Sequence, residues 1–490
     1  MHSDPSIILV TGTNGKTTTT HILKYLFRSS GIEVISNINN KDAREERAGD
    51  FLELIELAKT KEEHPIFVLE VDEGDFAFFG RLLNPDYCLI TNISRNHLEK
   101  YGEIYALRSQ IVEALQHMEP SKVILCADDP LVASIVPLAK AGGNPKAIAH
   151  DFYFFGCEGD AVPPSQPSPS EKGLAAPQTG SIADPSFIDI AYYREAPNCP
   201  LCDSYLDYQS LYFSNIGTYR CPNPSCDFTH PGLDLSFHRL GKNPDDSTYE
   251  MHLGSRLCPS NSADNEDKGT TWQLTLHSPA LYDAYNYAAA AACAALYGLP
   301  LDHLATYLQA TPPPKSRYET FWKKGRRLRL IRGTNPASMN SMLPEVMSAK
   351  DFGGFVIVLD DKEMEENDSS WFWDVLLEKL PEAPFIGLSG NLAPAFANRC
   401  LLASYPPSHL AITLSGNEPL FFHHLEADQE AGLPKFFTDE EDMLVALLQM
   451  IQDSDSTSGT QKKSLYLICN KAASHRIRPL LLASWESELA

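Results

Sequence analysis

The stretch IILVTGTNGKTTTTHILKYLF, residues 7–27, constrains this chain more than any other. Ile7, Ile8, Leu9 and Val10 form a continuous aliphatic run, the pattern of a strand buried on both faces. Gly12 and Gly15 then permit tight backbone that can lie close to a ligand. From Thr17 onward the spacing turns helical, with Ile22, Tyr25 and Leu26 on one face beside Leu23 and Phe27. Strand, glycine loop and helix start, in that order, make a cradle for an anion, because first-turn amides and the helix dipole both favour negative charge. In such a cradle Lys16 reaches the terminal phosphates and the Thr17 hydroxyl meets Mg²⁺. The usual phosphate loop has a Gly six residues before the Lys, where this chain has Val10, so the loop is the shorter G-T-N-G-K-T.

The rest of the first 150 residues repeats the alternation. IFVLEV (66–71), YCLITNI (87–93) and KVILCA (122–127) read as strands, and IYALRSQIVEALQHM (104–118) as a helix. That pattern predicts a doubly wound, mostly parallel sheet with its site beyond the carboxyl ends of the strands. Residues 158–190 are rich in Pro, Ser, Ala and Gly and read as a flexible insertion. LYDAYNYAAAAACAALY (281–297) is a strong helix, and the prolines at 312–314 close the first domain, 1–314. A second α/β pattern follows over 315–490, with strands at 355–360, 385–390, 410–416 and 464–470 and helices at 371–380 and 439–453. A smaller Rossmann-like domain fits it.

Charge and cysteines narrow the class. Lys and Arg total 40 against 64 Asp and Glu, a net charge of −24 in 490 residues, which disfavours a nucleic-acid partner. No apolar run is long enough to span a membrane, and MHSDPS lacks the regions of a signal peptide, so a cytoplasmic location is expected. Of eleven cysteines, seven stand singly and read as buried thiols. The other four, Cys199, Cys202, Cys221 and Cys226, have the spacing C-x2-C-x18-C-x4-C, and Cys-Pro begins both knuckles. Two such knuckles can set four thiolates around a structural zinc, with Tyr219 and Phe228 as a small core, so residues 195–232 read as a zinc ribbon.

G-T-N-G-K-T followed by THILKYL resembles the loop of the Mur ligase family of ATP-dependent amide-forming enzymes. Further marks follow in order. VLEVDEGDF resembles the strand whose Glu, here Glu70, binds Mg²⁺. LITNISRNHLEKYGEI resembles the segment that supplies Asn92 and His97. LCADDPLV resembles the family's A-D-D-P strand end. YNYAAAAA resembles the adenine-side helix, giving Asn286, and SRYE the element giving Arg317. A four-cysteine insertion, TNPASMN (334–340) and DKEMEENDSSWFWD (361–374) make the chain most similar to the branch that forms the ligase subunit of lipid II isoglutaminyl synthase. Family positions that differ include Asp283, Ser316, Asn96 and Thr334, which marks a divergent member.

The resemblance implies an ATP- and Mg²⁺-dependent reaction, with the zinc structural. The α-carboxyl of D-glutamate in the lipid II stem peptide becomes an acyl phosphate, and ammonia converts it to D-isoglutamine. The ammonia comes from a GatD-like class I glutaminase in a heterodimer, and contact with the membrane is limited to the membrane-bound substrate. Gly12, Thr13, Asn14, Gly15, Lys16, Thr17, Thr18, Asn286 and Arg317 are then phosphate or nucleotide ligands. Thr17, Glu70 and His97 hold magnesium, and Lys16 and Glu70 act in catalysis. Either Asp361 or Asp368 completes the glutaminase's Cys–His pair; Asp361 follows a strand, whereas Asp368 also suits a helix N-cap. Two rival readings remain: a free-standing ligase that adds an amino acid, and a nucleotide-binding scaffold without turnover. The cysteine insertion speaks against the first, and the presence of Lys16, Thr17 and Glu70 against the second.

Overall fold

The computed structural model describes residues 5–38, 52–53, 55–56, 65–95, 103–159, 196–242, 246–257, 269–278, 280–312, 318–323, 325–333, 335–347, 349, 351–360, 370–379, 383–413, 435–437, 439–458 and 463–487. His97, Arg317, Asp361 and Asp368 lie outside these residues, as does the 158–190 insertion beyond Gly159. The chain divides into two compact units, with the boundary in the proline run after Pro312.

The first unit is built on strands β1 (Ile7–Thr11), β2 (Val34–Ile35), β3 (Ile66–Glu70), β4 (Tyr87–Ile90), β5 (Lys122–Cys126), β6 (Asp151–Cys157), β7 (Asp207–Phe213), β8 (Ile216–Arg220), β9 (Leu235–Lys242), β10 (Ser247–Leu253) and β11 (Thr270–Leu276). All but β7 and β8 join one sheet, in the order β11-β10-β9-β6-β5-β4-β1-β3-β2. From β2 to β9 every pairing is parallel, and β10 and β11 add an antiparallel edge. β1 lies between β3 and β4, so the chain crosses from one side of β1 to the other there. That is the switch point at which such sheets bind ligands. Strand β1 is buried throughout, as its aliphatic run requires. On the following helix Ile22, Leu23, Leu26 and Phe27 are buried while Tyr25 is only half-buried, a face shifted slightly from the expected one.

In the helix Leu281–Tyr297 every residue from Ala284 to Ala295 is buried. Its small side chains let it pack against the Lys16–Ser29 helix and strands β5, β6 and β9. The β7–β8 pair forms a separate antiparallel hairpin that carries the cysteines on its flanks.

The second unit contains β12 (Tyr318–Lys323), β13 (Arg326–Arg332), β14 (Phe352–Val358), β15 (Ile386–Ser389), β16 (Leu410–Thr413), β17 (Lys435–Phe437), β18 (Ser464–Cys469) and β19 (Glu486–Ser487). Their order is β17-β16-β15-β14-β18-β13-β12-β19, parallel from β17 to β13 with an antiparallel edge at β12 and β19.

One expected element is corrected. Residues 371–380 do not form an α-helix; the described part consists of the 3₁₀ turns Ser370–Asp374 and Leu377–Lys379. Distant side chains engage the backbone groups that a helix would use internally. Asn340 Nδ2 donates to the Asp374 carbonyl (3.0 Å) and its Oδ1 accepts from the Leu376 amide (2.8 Å). Arg399 Nη2 donates to the Val375 carbonyl at 2.6 Å. Asn340 thereby ties TNPASMN to the SSWFWD segment.

Candidate active site

The glycine loop opens where β1 ends. Gly12 has φ 120° and Gly15 φ 88°, values that an L side chain rarely adopts. Space forbids a side chain as well. A Cβ on Gly12 would lie 2.3 Å from Thr91 Oγ1, and one on Gly15 would lie 2.1 Å from Asn286 Oδ1. The segment after β4 braces the loop from one side. The Thr13 amide donates to the Asn92 carbonyl (2.9 Å), and the Asn14 amide to Asn92 Oδ1 (2.9 Å). Thr91 Oγ1 and Asn92 Nδ2 both donate to the Asn14 carbonyl, at 2.7 and 2.9 Å. Thr13 Oγ1 and Asn14 Nδ2 reach Ser94, each at 3.2 Å. The helix starts at Lys16, so its first-turn amides have no intrahelical acceptor and face the loop mouth. Thr18 is buried in that turn.

Lys16 and Thr17 meet the end of β3. Thr17 Oγ1 donates to Glu70 Oε1 at 2.9 Å. The other carboxylate oxygen, Glu70 Oε2, is buried with no hydrogen-bond partner among the described residues. A buried carboxylate oxygen left over beside a hydroxyl is an all-oxygen donor set, which fits a hard divalent cation such as Mg²⁺. Asn37 fixes Glu70 from behind: its Oδ1 accepts from the Glu70 amide (2.9 Å) and its Nδ2 donates to the Glu70 carbonyl (2.7 Å). Lys16 Nζ donates to Glu73 Oε2 at 3.1 Å and lies 3.4 Å from Asp72 Oδ1. Burial would lower the Lys16 pKa, but the charges of Glu73, Asp72 and Glu70 outweigh it and raise the pKa, so the ammonium persists.

The structure thus brings together Gly12, Thr13, Asn14, Gly15, Lys16, Thr17, Thr18, Glu70 and Asn286. Glu73 and Asn37 are site residues that the sequence reading missed. The signal for Glu73 was present in EVDEGDF, where four acids crowd a strand end. For Asn37 there was none, because its role depends on β2 pairing beside β3.

The four cysteines also converge. Their sulfurs all lie within 4.8 Å of one another. Cys199 Sγ is 3.8 Å from Cys226 Sγ, and Cys202 Sγ is 3.4 Å from Cys221 Sγ. Tetrahedral zinc with Zn–S bonds of about 2.3 Å needs sulfurs about 3.8 Å apart. The Ser204 hydroxyl, 3.4 Å from Cys202 Sγ, stabilises the thiolate and holds that thiol down at about 6, whereas burial pushes Cys199 up to about 12. Tyr219 stacks on Phe228 behind the cluster, at 5.5 Å between ring centroids.

Comparison with known proteins matches this geometry to a family. The Mur ligase middle domain matches residues 10–152, and the MurT ligase C-terminal domain matches residues 333–429. The chain is 24% identical over 410 residues to the lipid II isoglutaminyl synthase (glutamine-hydrolyzing) subunit MurT of Streptococcus pneumoniae (strain ATCC BAA-255 / R6), covering 83% of this chain and 79% of that subunit. It is 22% identical over 380 residues to the subunit of the same name from Staphylococcus aureus (strain COL), covering 76% and 71%. Among solved structures, a pseudomurein peptide ligase type C from Methanothermus fervidus shares the fold, with a TM-score of 0.61 at 19% identity over 99% of this chain and 79% of that one. The chain thus carries matches to the Mur ligase middle domain and the MurT ligase C-terminal domain, and over most of its length it is similar to MurT subunits.

Proposed function

We propose that this chain is the ATP-using subunit of a lipid II isoglutaminyl synthase. It amidates the α-carboxyl of D-glutamate in the stem peptide with ammonia from a GatD-like class I glutaminase. The reading draws on the MurT-type C-terminal match and on similarity to MurT subunits over most of the chain. The single observation that carries its chemistry is the Thr17–Glu70 pair with its spare buried oxygen, set against Lys16 at the start of a helix.

A carboxylate is a poor electrophile and needs a leaving group. One of its oxygens attacks the γ-phosphorus of ATP, ADP departs, and an acyl phosphate forms. Ammonia then attacks the acyl carbon, inorganic phosphate leaves, and the nitrogen loses a proton to give the amide. The first-turn amides of the Lys16–Ser29 helix hold the polyphosphate, and Lys16 turns from Glu73 to the charge that builds on the transferring group. Thr17 and Glu70 would hold a magnesium ion, which would supply positive charge against the phosphate oxygens. His97 is a further proposed ligand. Asn286, against Gly15, positions the nucleotide, and Arg317 adds positive charge. The four cysteines hold one structural zinc. Asp361 or Asp368 supplies the carboxylate that orients the glutaminase histidine. No helix among the described residues is long and apolar enough to cross a membrane, and we place the protein in the cytoplasm, where ATP and the precursor's peptide are both accessible.

The test is direct. The chain mixed with a class I glutaminase, glutamine, ATP, Mg²⁺ and lipid II should release phosphate and give amidated product by mass spectrometry. Lys16→Ala should lower turnover by about 10²–10³-fold, the usual loss of a charge-stabilising group. Amidation that survives Lys16→Ala would remove the loop from the mechanism.

A further inference from the structure

The nucleotide loop and the cysteine hairpin meet at one carboxylate that the chemistry above does not use. Asp128, just past β5, is fully buried. Its Oδ1 accepts from His230 Nε2 at 2.7 Å, and its Oδ2 accepts from the Tyr285 hydroxyl at 2.5 Å and the Cys157 amide at 2.8 Å. Against a carboxylate oxygen, Nε2 must carry the proton. Burial, then the nearby Asp128 charge, raises the Tyr285 pKa, so the phenol keeps its proton and donates. A Cβ on Gly156 would lie 2.5 Å from Asp128 Oδ1, so the carboxylate fills the space that a side chain at 156 would need.

Each partner leads somewhere. His230 lies four residues past Cys226, and its amide donates to the Tyr219 carbonyl at 2.9 Å. The hairpin is pinned to the same strand end twice more. The Tyr219 hydroxyl donates to the Ala127 carbonyl (2.9 Å), and the Gly217 amide donates to the Asp128 carbonyl (2.9 Å). Tyr285 immediately precedes Asn286, whose Oδ1 presses on Gly15. The neighbouring Asp129 accepts from the Ile93 amide at 2.8 Å, one residue after the Asn92 that braces the loop. Both supports of the phosphate loop therefore hang from Asp128 and Asp129, and the cysteine hairpin holds Asp128.

We propose that the cysteine hairpin sets the geometry of the nucleotide site through the chain His230–Asp128–Tyr285, which makes these three positioning residues for ATP. The proposal rests on the ATP-binding reading given above. The helix Leu281–Tyr297 is rigid and buried, so a displaced Tyr285 carries Asn286 with it. Loss of one positioning hydrogen bond is worth about tenfold in nucleotide affinity.

The experiment compares wild type, Tyr285→Phe, His230→Ala and His230→Gln in the glutaminase complex. It reads zinc content, melting temperature, Kd for ADP with Mg²⁺, and the separate KM for ATP and kcat. Tyr285→Phe and His230→Ala should each raise the ADP Kd and ATP KM about tenfold while kcat stays within about threefold and one zinc remains bound. His230→Gln, whose amide can still donate, should recover most of the affinity. The double variant Tyr285→Phe/His230→Ala should be no worse than either alone, because both break one chain. Variants that melt lower yet bind ADP as wild type does would overturn the relay, and so would fully additive losses. A wild-type chain that binds no nucleotide would overturn the functional reading itself, and the relay with it.

Discussion

Lys16 sits between two carboxylates, Glu73 at 3.1 Å and Asp72 at 3.4 Å, and only 2% of Glu73 is exposed. Phosphate must displace that pairing. Glu73→Gln should therefore tighten ADP binding in the presence of a chelator about tenfold, the worth of one charge-assisted contact, as read by calorimetric titration. Asp129 gives a pH prediction. Burial pushes its carboxyl up to about 6, against the opposing pull of the Ile93, Leu131 and Val132 amides. The native state then takes up this proton before the unfolded chain does. On its own Asp129 makes stability fall as pH rises from about 4 to about 6, by at most about 3 kcal/mol. Asp129→Asn cannot titrate, so its destabilisation should be larger at pH 4.5 than at pH 7 in denaturant unfolding. At this scale the sequence revealed the residues whose role is local. Gly15, Lys16 and Thr17 were legible because strand, loop and helix start are adjacent in the chain. Asn37 and Tyr285 were not, because their partners Glu70 and Asp128 are brought to them only by the sheet.

Among elements, the Ala-rich helix Leu281–Tyr297 was fully legible, since small apolar residues with no breaker permit little else. The antiparallel strands β9–β11 went unread because their alternation is interrupted by the polar residues around 255–270. Strand β13, RRLRLIR, hid behind its charges. Arg329 is fully buried there, against Asp351 at 3.3 Å, a partner 22 residues away. The error at 371–380 has the same origin, because Asn340 and Arg399 outbid local propensity from a distance. Asn340→Ala should therefore loosen the SSWFWD segment, leaving the Leu376 amide and the Asp374 carbonyl without their partner. The expected cost is about 1–3 kcal/mol, with faster hydrogen exchange at Leu376 as the readout.

For the whole molecule, the two units have separate apolar cores. Unfolding should then show two calorimetric transitions, and an ATP analogue with Mg²⁺ should raise the one belonging to the unit that contains Lys16, by an amount that grows with ligand concentration. A single transition that ignores nucleotide would contradict both the division and the site. The net charge of −24 adds a kinetic consequence. It repels a polyanion at long range, so screening by salt should speed nucleotide association rather than slow it. The Glu70, Asp72 and Glu73 carboxylates around Lys16 extend that repulsion to the loop itself. Such a doorway should turn away orthophosphate and other small bare anions and admit a triphosphate that arrives already chelated. On the proposed mechanism product release should be helped for the same reason, because Glu73 and Asp72 would reclaim the Lys16 ammonium from a spent nucleotide.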